Sequence, residues 1–447
     1  MTWPLVKLDA VAIRGSGHTP SQKHPEYWNG GVKWVSLADS STLDKRYIYD
    51  TEKKISALGL RNSSAVLHPK GTVIVSRDAG VGKSSILGEE MAVSQHFIVW
   101  QCDENKIHGE YLYQWLQSHK PEFERMAVGS TVKTIGLGYF EKLRIPLPPI
   151  ETQTKVAAVL ADWDTAIEKT EQLIAAKEKQ YLALVGHLVL QPASKYSDWR
   201  HERIRDFATR IQRKAGEGEY PILTISSASG FVLQEVKYGR YMAGESVKDY
   251  ILLRRGEFAY NKGNSLRYQF GCVYQLTDYE EALVPHVYVC FNLHENISDS
   301  YLRHLFAVDY LKPQLGKLVK TGVRNNGLLN IRPDEFLDVT VPIPPLDEQM
   351  RIAAALDAAS AEIAVLKQQV SAYRTQKRGL MQKLLTGQWR IGKPPSPPAP
   401  LPHAGEGSVG AHPATLVPEA GQRQEHGDTS SPLPLAGEVG RRPGEGT

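Results

Sequence analysis

Val341-Pro342-Ile343-Pro344-Pro345-Leu346-Asp347-Glu348-Gln349 decides the fold of this chain, because the same stretch occurs twice. Ile145-Pro146-Leu147-Pro148-Pro149-Ile150 stands 196 residues earlier, and Gln153 matches Gln349 at the same offset. Lys155 matches Arg351, and Ala157-Ala158 match Ala353-Ala354. At the far end of the unit, Trp3 matches Trp199 and Leu8 matches Ile204. The chain is two copies of one plan: a globular block, a proline-punctuated strand, then a helix.

The helix after each proline block carries a seam. Steps of four and three link Val156, Leu160, Trp163, Ile167, Thr170, Ile174, Lys177, Tyr181, Leu184 and Leu188. The same steps in the second copy link Ile352, Leu356, Ala359, Ile363, Leu366, Val370, Tyr373, Lys377, Leu380 and Leu384. An apolar repeat of 3.5 residues over about five heptads is a coiled-coil pattern. Each helix would be roughly 55 Å long at 1.5 Å per residue. Two tandem units with one seam each predict an antiparallel pair with pseudo-twofold symmetry. Pro149 and Pro345 suit the turn into each helix, and Asp347 and Glu348 complement the dipole at its start. Gly387 is placed to supply a left-handed cap, and Pro192 is expected to stop the first helix.

The expected class is α+β, with two globular domains joined by two long antiparallel coiled-coil helices. The boundaries read 1–150 for the first domain and 151–191 for its helix, then 192–345 and 346–389 for the second pair. Short β-type runs lie at 32–35, 72–75 and 97–100, with a helix near 110–119. Counterparts lie at 220–225, 257–260 and 287–291, with a helix near 300–311 that opens on Tyr301-Leu302 as the first opens on Tyr111-Leu112. Beyond about residue 390 proline, glycine and small polar residues dominate without an apolar face, which predicts disorder.

Hydrophobic residues make up 41% of the chain and charged residues 23%, as in ordinary soluble proteins. No apolar run is long enough to span a bilayer, and residues 1–15 lack the pattern of a secretion signal. Cys102, Cys272 and Cys290 are far apart, which argues against a zinc knuckle or disulfide framework and fits a reducing cytoplasm. A net charge of +4 permits nucleic-acid binding through local patches without demanding it.

Gly80-Val81-Gly82-Lys83-Ser84 resembles the end of a phosphate-binding loop. Arg77 stands where that motif needs its first glycine, and no aspartate-ending apolar strand follows to hold magnesium. A glycine turn presenting Lys83 and Ser84 to phosphates reads better than an ATP site. The 14 histidines include no HExxH, and no Gly-x-Ser-x-Gly occurs. There is no Asp/Asn-Pro-Pro-Tyr/Phe tetrapeptide for a flipped adenine, and no nuclease carboxylate pair with a spaced lysine. Any chemistry must come from elsewhere.

The Pro-x-Pro-Pro-Leu-x-Glu-Gln block and the helix ending at Lys383-Leu384-Leu385-Thr386-Gly387 resemble the conserved regions of Type I restriction–modification specificity subunits. Gly17-His18-Thr19-Pro20-Ser21 and Glu257-Phe258-Ala259-Tyr260-Asn261-Lys262 are similar to segments of their target-recognition domains. The likeness runs from residue 1 to about 390, with one departure: Thr152-Gln153 stands where the second copy has Glu348-Gln349. The resemblance implies a non-catalytic chain that reads a bipartite, asymmetric site on double-stranded DNA. It also implies two methyltransferase subunits along the helices and two restriction subunits in the full complex. S-adenosylmethionine, ATP and magnesium would then be bound by those partners, with none of them on this chain.

Base readout needs bidentate donors and acceptors, and backbone contacts need Lys, Arg, Ser, Thr or amides. In the first domain the candidates are Ser16, His18, Thr19, Ser21 and Lys23, with Arg77, Lys83, Ser84, Gln95 and Lys133. In the second they are Lys262, Asn264, Ser265, Arg267 and Tyr268. Lys320, Arg324, Asn325, Asn326 and Asn330 stand where the first copy has the Lys133 stretch. The rival readings are a coiled-coil interaction protein without DNA binding, a nucleotide-binding protein using Gly80 to Ser84, and a similar subunit of a methylation complex outside Type I.

Overall fold

The computed structural model describes residues 3–129, 133–195, 199–216, 218–239, 245–263, 265–319 and 328–391. One compact unit takes residues 1–41 and 49–159 with the chain from 382 onward, and the other takes 42–48 and 160–381.

The duplication holds at the level of single hydrogen-bonding partners. Arg144–Pro146 pairs antiparallel with Leu5–Lys7, with Val6 opposite Ile145. Thr340–Ile343 pairs in the same way with Arg200–Arg203, with Glu202 opposite Val341. Proline is tolerated in both because each strand has one neighbour only, so a missing N–H leaves no ladder broken on the open side. The larger sheets repeat as well. Ala12–Ser16, Phe97–Cys102, Val73–Ser76 and Ser84–Leu87 lie side by side in that order, all antiparallel. Ala208–Ile211, Val289–Leu293, Phe258–Asn261 and Cys272–Gln275 repeat it.

A helix packs on each sheet, Gly109–Met126 in the first block and Asp299–Ala307 in the second. Each is locked to its proline strand by a buried tyrosine. Tyr111 Oη donates to Pro146 O at 2.7 Å, and Tyr301 Oη donates to Pro342 O at 2.9 Å. A buried glutamine completes each joint. Gln153 Nε2 donates to Pro148 O at 2.9 Å, and its Oε1 accepts from His108 N, the cap of the first block's helix, at 2.9 Å. Gln349 donates to Pro344 O at 2.8 Å and accepts from Ser298 N, the equivalent cap, at 2.8 Å. Long helix, strand and short helix therefore share one polar knot in each block.

The long helices are Ile150–Val185 and Leu346–Leu385. Every seam position of both is buried or half-buried, while most residues between are exposed. The start of the second helix is anchored in its own block, with Ile352, Ala353 and Leu356 in one core with Val341, Ile343 and Tyr301. Further along, the two helices meet. The Trp163 ring lies 5.7 Å from that of Tyr373, nearly perpendicular, and Lys177 Nζ is 2.8 Å from Glu362. Glu178 pairs with Lys367 at 2.7 Å, Glu171 pairs with Arg374, and Asp164 pairs with the buried Lys377. Numbers that climb in one helix fall in the other, so the pair is antiparallel.

Charge separates the two copies. Glu171 and Glu178 occupy the positions held by Lys367 and Arg374 in the second copy. These four side chains are 44–61% exposed, so their ion pairs add little stability. Their effect is on which helix faces which, as charges flanking a coiled-coil seam set partner choice.

Helix ends differ from the sequence expectation at one point. Pro192 does not stop the first helix. The chain passes through a wide turn at Gly186–Leu190, with Gln191 N–H bonded to Gly186 O, and continues as Gln191–Lys195. A proline ring clashes with the carbonyl four residues back, here Leu188, and a five-residue hydrogen-bond step moves that carbonyl aside. At the end of the second helix Gly387 adopts φ +77°, and a Cβ there would stand 2.8 Å from the Trp3 ring. Leu384 O accepts from Gly387 N and from Trp3 Nε1. Trp199 instead donates to Glu348 Oε2 at 3.3 Å, an acceptor that Thr152 does not provide in the first copy. The departure noted in the sequence thus has a structural counterpart.

In the second unit, His304 ties three helices together. Its Nδ1 meets Tyr181 Oη at 2.8 Å and its Nε2 meets Asp357 Oδ1 at 2.9 Å. Burial holds its pKa below the ordinary 6.5 despite Asp357, and burial does the same to His68 and His119. A histidine with a depressed folded pKa stabilises fully above its unfolded pKa and loses that contribution as pH falls below it. The urea midpoint is therefore expected to hold from pH 8 to 7 and to drop below about pH 6.5. A flat midpoint down to pH 5 would contradict the buried neutral state.

The three cysteines are unpaired, and burial pushes each thiol up to about 12. Among the described residues no helix is long and apolar enough to cross a membrane. Nor do three or more His, Cys, Asp or Glu side chains gather there as a metal site.

Candidate nucleic-acid interface

In the first block the loop after Ala12–Ser16 is held mainly through its backbone. Gly17 lies so close to the neighbouring turn that a Cβ would fall 1.7 Å from Val93 O. His18 N donates to Val93 O at 3.1 Å. Two tryptophans clamp the rest: Trp34 Nε1 donates to His18 O at 3.0 Å and Trp28 Nε1 to Ser21 O at 3.2 Å. His18, Ser21 and Lys23 are exposed, whereas the Ser16 hydroxyl is used on Phe97 O at 2.7 Å. Thr19 Oγ1 donates to Gln95 Oε1. Gly17→Ala must push this loop off Val93, and a drop in DNA affinity of about tenfold or more is expected. Binding titrations on duplex DNA with an unfolding curve alongside check it; unchanged affinity would show that the loop's seat is immaterial.

A second junction surrounds Asp78. Its carboxylate holds His96 Nδ1 at 2.7 Å and also Thr134 Oγ1. Arg77 N donates to His96 O at 2.9 Å, and Arg77 Nε donates to Ile135 O at 3.1 Å. Lys133 is exposed next to Thr134. Gln95, beside His96, therefore stands between the His18–Lys23 loop and the Arg77–Lys133 junction. The two joined segments carry amide, imidazole and cationic groups, the set that base edges and phosphates call for.

Lys83 and Ser84 are not part of that face. Gly80 and Gly82 take φ of +98° and +81° in a hairpin turn between Val73–Ser76 and Ser84–Leu87. Lys83 Nζ is bonded to Ser40 O at 2.7 Å and to Ser40 Oγ at 3.0 Å. Ser84 is fully buried and accepts from Gln117 Nε2 at 2.9 Å. A nucleotide loop joins a strand to a helix, with its amides at the helix start; this turn joins two strands. The nucleotide-site reading has no geometry to stand on, and Ser84 has no exposed group for a phosphate.

The second block repeats the junction with different side chains. Leu329 N donates to Lys262 O at 3.0 Å, as Ile135 N does to Arg77 O at 3.0 Å. The Gly263–Leu328 bridge matches the Asp78–Thr134 bridge. Lys262 thus stands where Arg77 does, and Asn330 is exposed just past Leu329. Ser265 Oγ accepts from Tyr268 N at 3.0 Å, and Arg267 lies exposed 5.3 Å above the Tyr268 ring. Tyr268 itself is 3% exposed, with its hydroxyl on Ala307 O, and supports the loop from within. Asn264, Lys320, Arg324, Asn325 and Asn326 lie outside the described residues.

Two positions on the same edge were missed from sequence. Gly15 opposite Val99 corresponds to Ile211 opposite Cys290, which makes Gln212 the counterpart of Ser16. Phe97 N to Ser94 O recurs as Tyr288 N to Pro285 O, which makes His286 the counterpart of Gln95. Gln212 and His286 are both exposed. The spacing from Gly15 to Ile211 is 196 residues, but from Gln95 to His286 it is 191, so a fixed offset finds the first and not the second.

Comparison with known proteins adds three findings. Residues 1–178 match the family model described as the Type I restriction modification DNA specificity domain. The Type I restriction enzyme MjaIX specificity subunit of Methanocaldococcus jannaschii is 27% identical over 41% of this chain and 42% of its own length. The match thus spans less than half of that relative. The MjaVIII specificity subunit of the same organism is 21% identical over 70% of this chain and 76% of its own. Among solved structures, the Type-I restriction-modification system S subunit from M. genitalium superposes with a TM-score of 0.51 at 15% identity, covering 86% of this chain and 96% of that one. Residues 1–178 thus carry the likeness to the Type I restriction modification DNA specificity domain, and the duplicated block with its paired helices shares its fold with an S subunit of such a system.

Proposed function

We propose that the chain reads a bipartite, asymmetric site on double-stranded DNA and directs adenine-N6 methylation and restriction by partner subunits, catalysing nothing itself. The observation that carries this reading is the doubled edge: Gln95 and Arg77 in one block and His286 and Lys262 in the other occupy matching places on matching sheets, with exposed Lys133 and Asn330 flanking the matching bridges. One scaffold with two sets of side chains is what two readers of different half-sites require. Residues 1–150 and 192–345 are the readers in this proposal, with helices 151–191 and 346–389 as spacer and as the seat of two methyltransferase subunits. Two restriction subunits complete the assembly, and S-adenosylmethionine, ATP and magnesium belong to the partners. The complex works in the cytoplasm.

A genome-wide map of N6-methyladenine with the gene intact and deleted tests it. Methylation should vanish at one split, asymmetric sequence on deletion. If purified chain and its co-purifying partners also show no salt-sensitive duplex binding, the reading fails in favour of an interaction protein without DNA binding.

A further inference from the structure

We propose that Gln95 reads an adenine in the half-site recognised by the first block, with Thr19 as the residue that sets its amide for that base. The inference rests on the DNA-reading function above and names the base at one position of it.

An exposed glutamine rotates its amide freely and presents either end. Gln95 is different, because Thr19 Oγ1 donates to its Oε1 and holds the amide in place. A carbonyl oxygen has two lone pairs, so one remains for a ligand N–H after Thr19 is satisfied. Among the described residues the amide nitrogen has no partner in the chain. What is left is one acceptor and one donor side by side. In the major groove adenine offers an N6 donor beside an N7 acceptor, the complement of that pair; guanine offers two acceptors, and cytosine a single donor.

The surroundings are rigid on both sides of the amide. Gly17 and the Val93 carbonyl fix the loop that carries Thr19, and Trp34 holds its backbone at His18 O. Pro20, directly after Thr19, is buried. Behind Gln95, His96 is tied to Asp78. Exposed Lys23 and Lys133 belong to the segments on either side, where a phosphate backbone flanking the read base would run. A preorganised amide between two segments that each carry an exposed lysine suits a base reader with its positioning contacts, and ordering it in advance removes an entropic cost from binding.

The test uses the strain carrying the full chain and its own partners, with N6-methyladenine mapped genome-wide for Gln95→Ala, Gln95→Glu and Thr19→Val. Gln95→Ala should relax one base position of one half-site, with discrimination there falling roughly five- to hundredfold and the other half-site unchanged. Gln95→Glu keeps the shape but only accepts, so preference at that position should move toward cytosine, whose N4 donates. Thr19→Val should weaken the adenine preference, and Thr19→Ser should restore it. A merely structural Thr19 would lower the melting temperature and leave the motif intact.

If the wild-type motif is split and asymmetric but all variants keep every position, this inference falls and the function stands. A uniform loss over all positions would make Gln95 a backbone contact and overturn it too. If the wild-type gene governs no motif at all, the function reading itself has failed.

Discussion

On the function proposed above, a chain lacking Glu168–Ile174 and Ala364–Val370, one heptad from each long helix, is expected to direct methylation by its partners to a site whose two half-sites are unchanged but closer together. Seven residues at 1.5 Å each shorten each helix by about 10 Å, close to three base pairs at 3.4 Å. A whole heptad must go, because seven residues return every remaining side chain to its original face of a 3.5-residue repeat. Both helices must shorten together, because they run antiparallel and face one another from Trp163–Tyr373 to Glu178–Lys367. After the double deletion Glu178 occupies the place of Glu171 and again meets Arg374, so the charge pairing survives. Misplacing one reader forfeits several base contacts worth about 1–3 kcal/mol each, which amounts to roughly a hundredfold loss or more at the native spacing. The methylation map reads both changes at once. An unaltered spacer in a folded, active double deletion would mean that the helices do not set the distance.

The second large effect falls on Gln349. Gln349→Leu fills the same space but removes both ends of the knot, leaving Pro344 O without its donor and Ser298 N–H without its acceptor. Each buried backbone group left unpaired costs about 1–3 kcal/mol, so the variant should lose roughly 2–6 kcal/mol. That is a large part of the margin by which a domain of this size is folded. Gln153→Leu should behave alike in the first block, where Lys106 O at 3.0 Å also loses its donor. Urea unfolding of the full chain measures both. A loss below about 0.5 kcal/mol would imply that water replaces the amide, and the glutamine would then be dispensable to the joint.

The sequence carried the repeat and the seam because both are periodic. Leu160, Trp163 and Ile167 announce a buried stripe by spacing alone, and the proline strand announces its partner by recurring at the same offset. The register of Val6 against Ile145 follows from neither, yet the second copy reproduces it. What escaped was local geometry without a period. Pro192 reads as a stop unless the wide turn before it is known. Gly80 to Ser84 reads as a phosphate cradle until Ser84 is seen entering a strand, and Tyr268 reads as a DNA contact until its ring is seen beneath the loop. His286 was hidden for a different reason. The loops between the two copies differ in length, and only strand pairing realigns them.

The charge divergence of the long helices bears on how such a chain changes over generations. A crossover that replaced the second helix by another first helix would set Glu171 against Glu178 twice over and bring Trp163 to Lys177 instead of Tyr373. A crossover at the proline strands would exchange a globular block and leave both helices as they are. On the function proposed above, exchange of one block at the proline strands would change one half-site and leave intact the frame that holds the other.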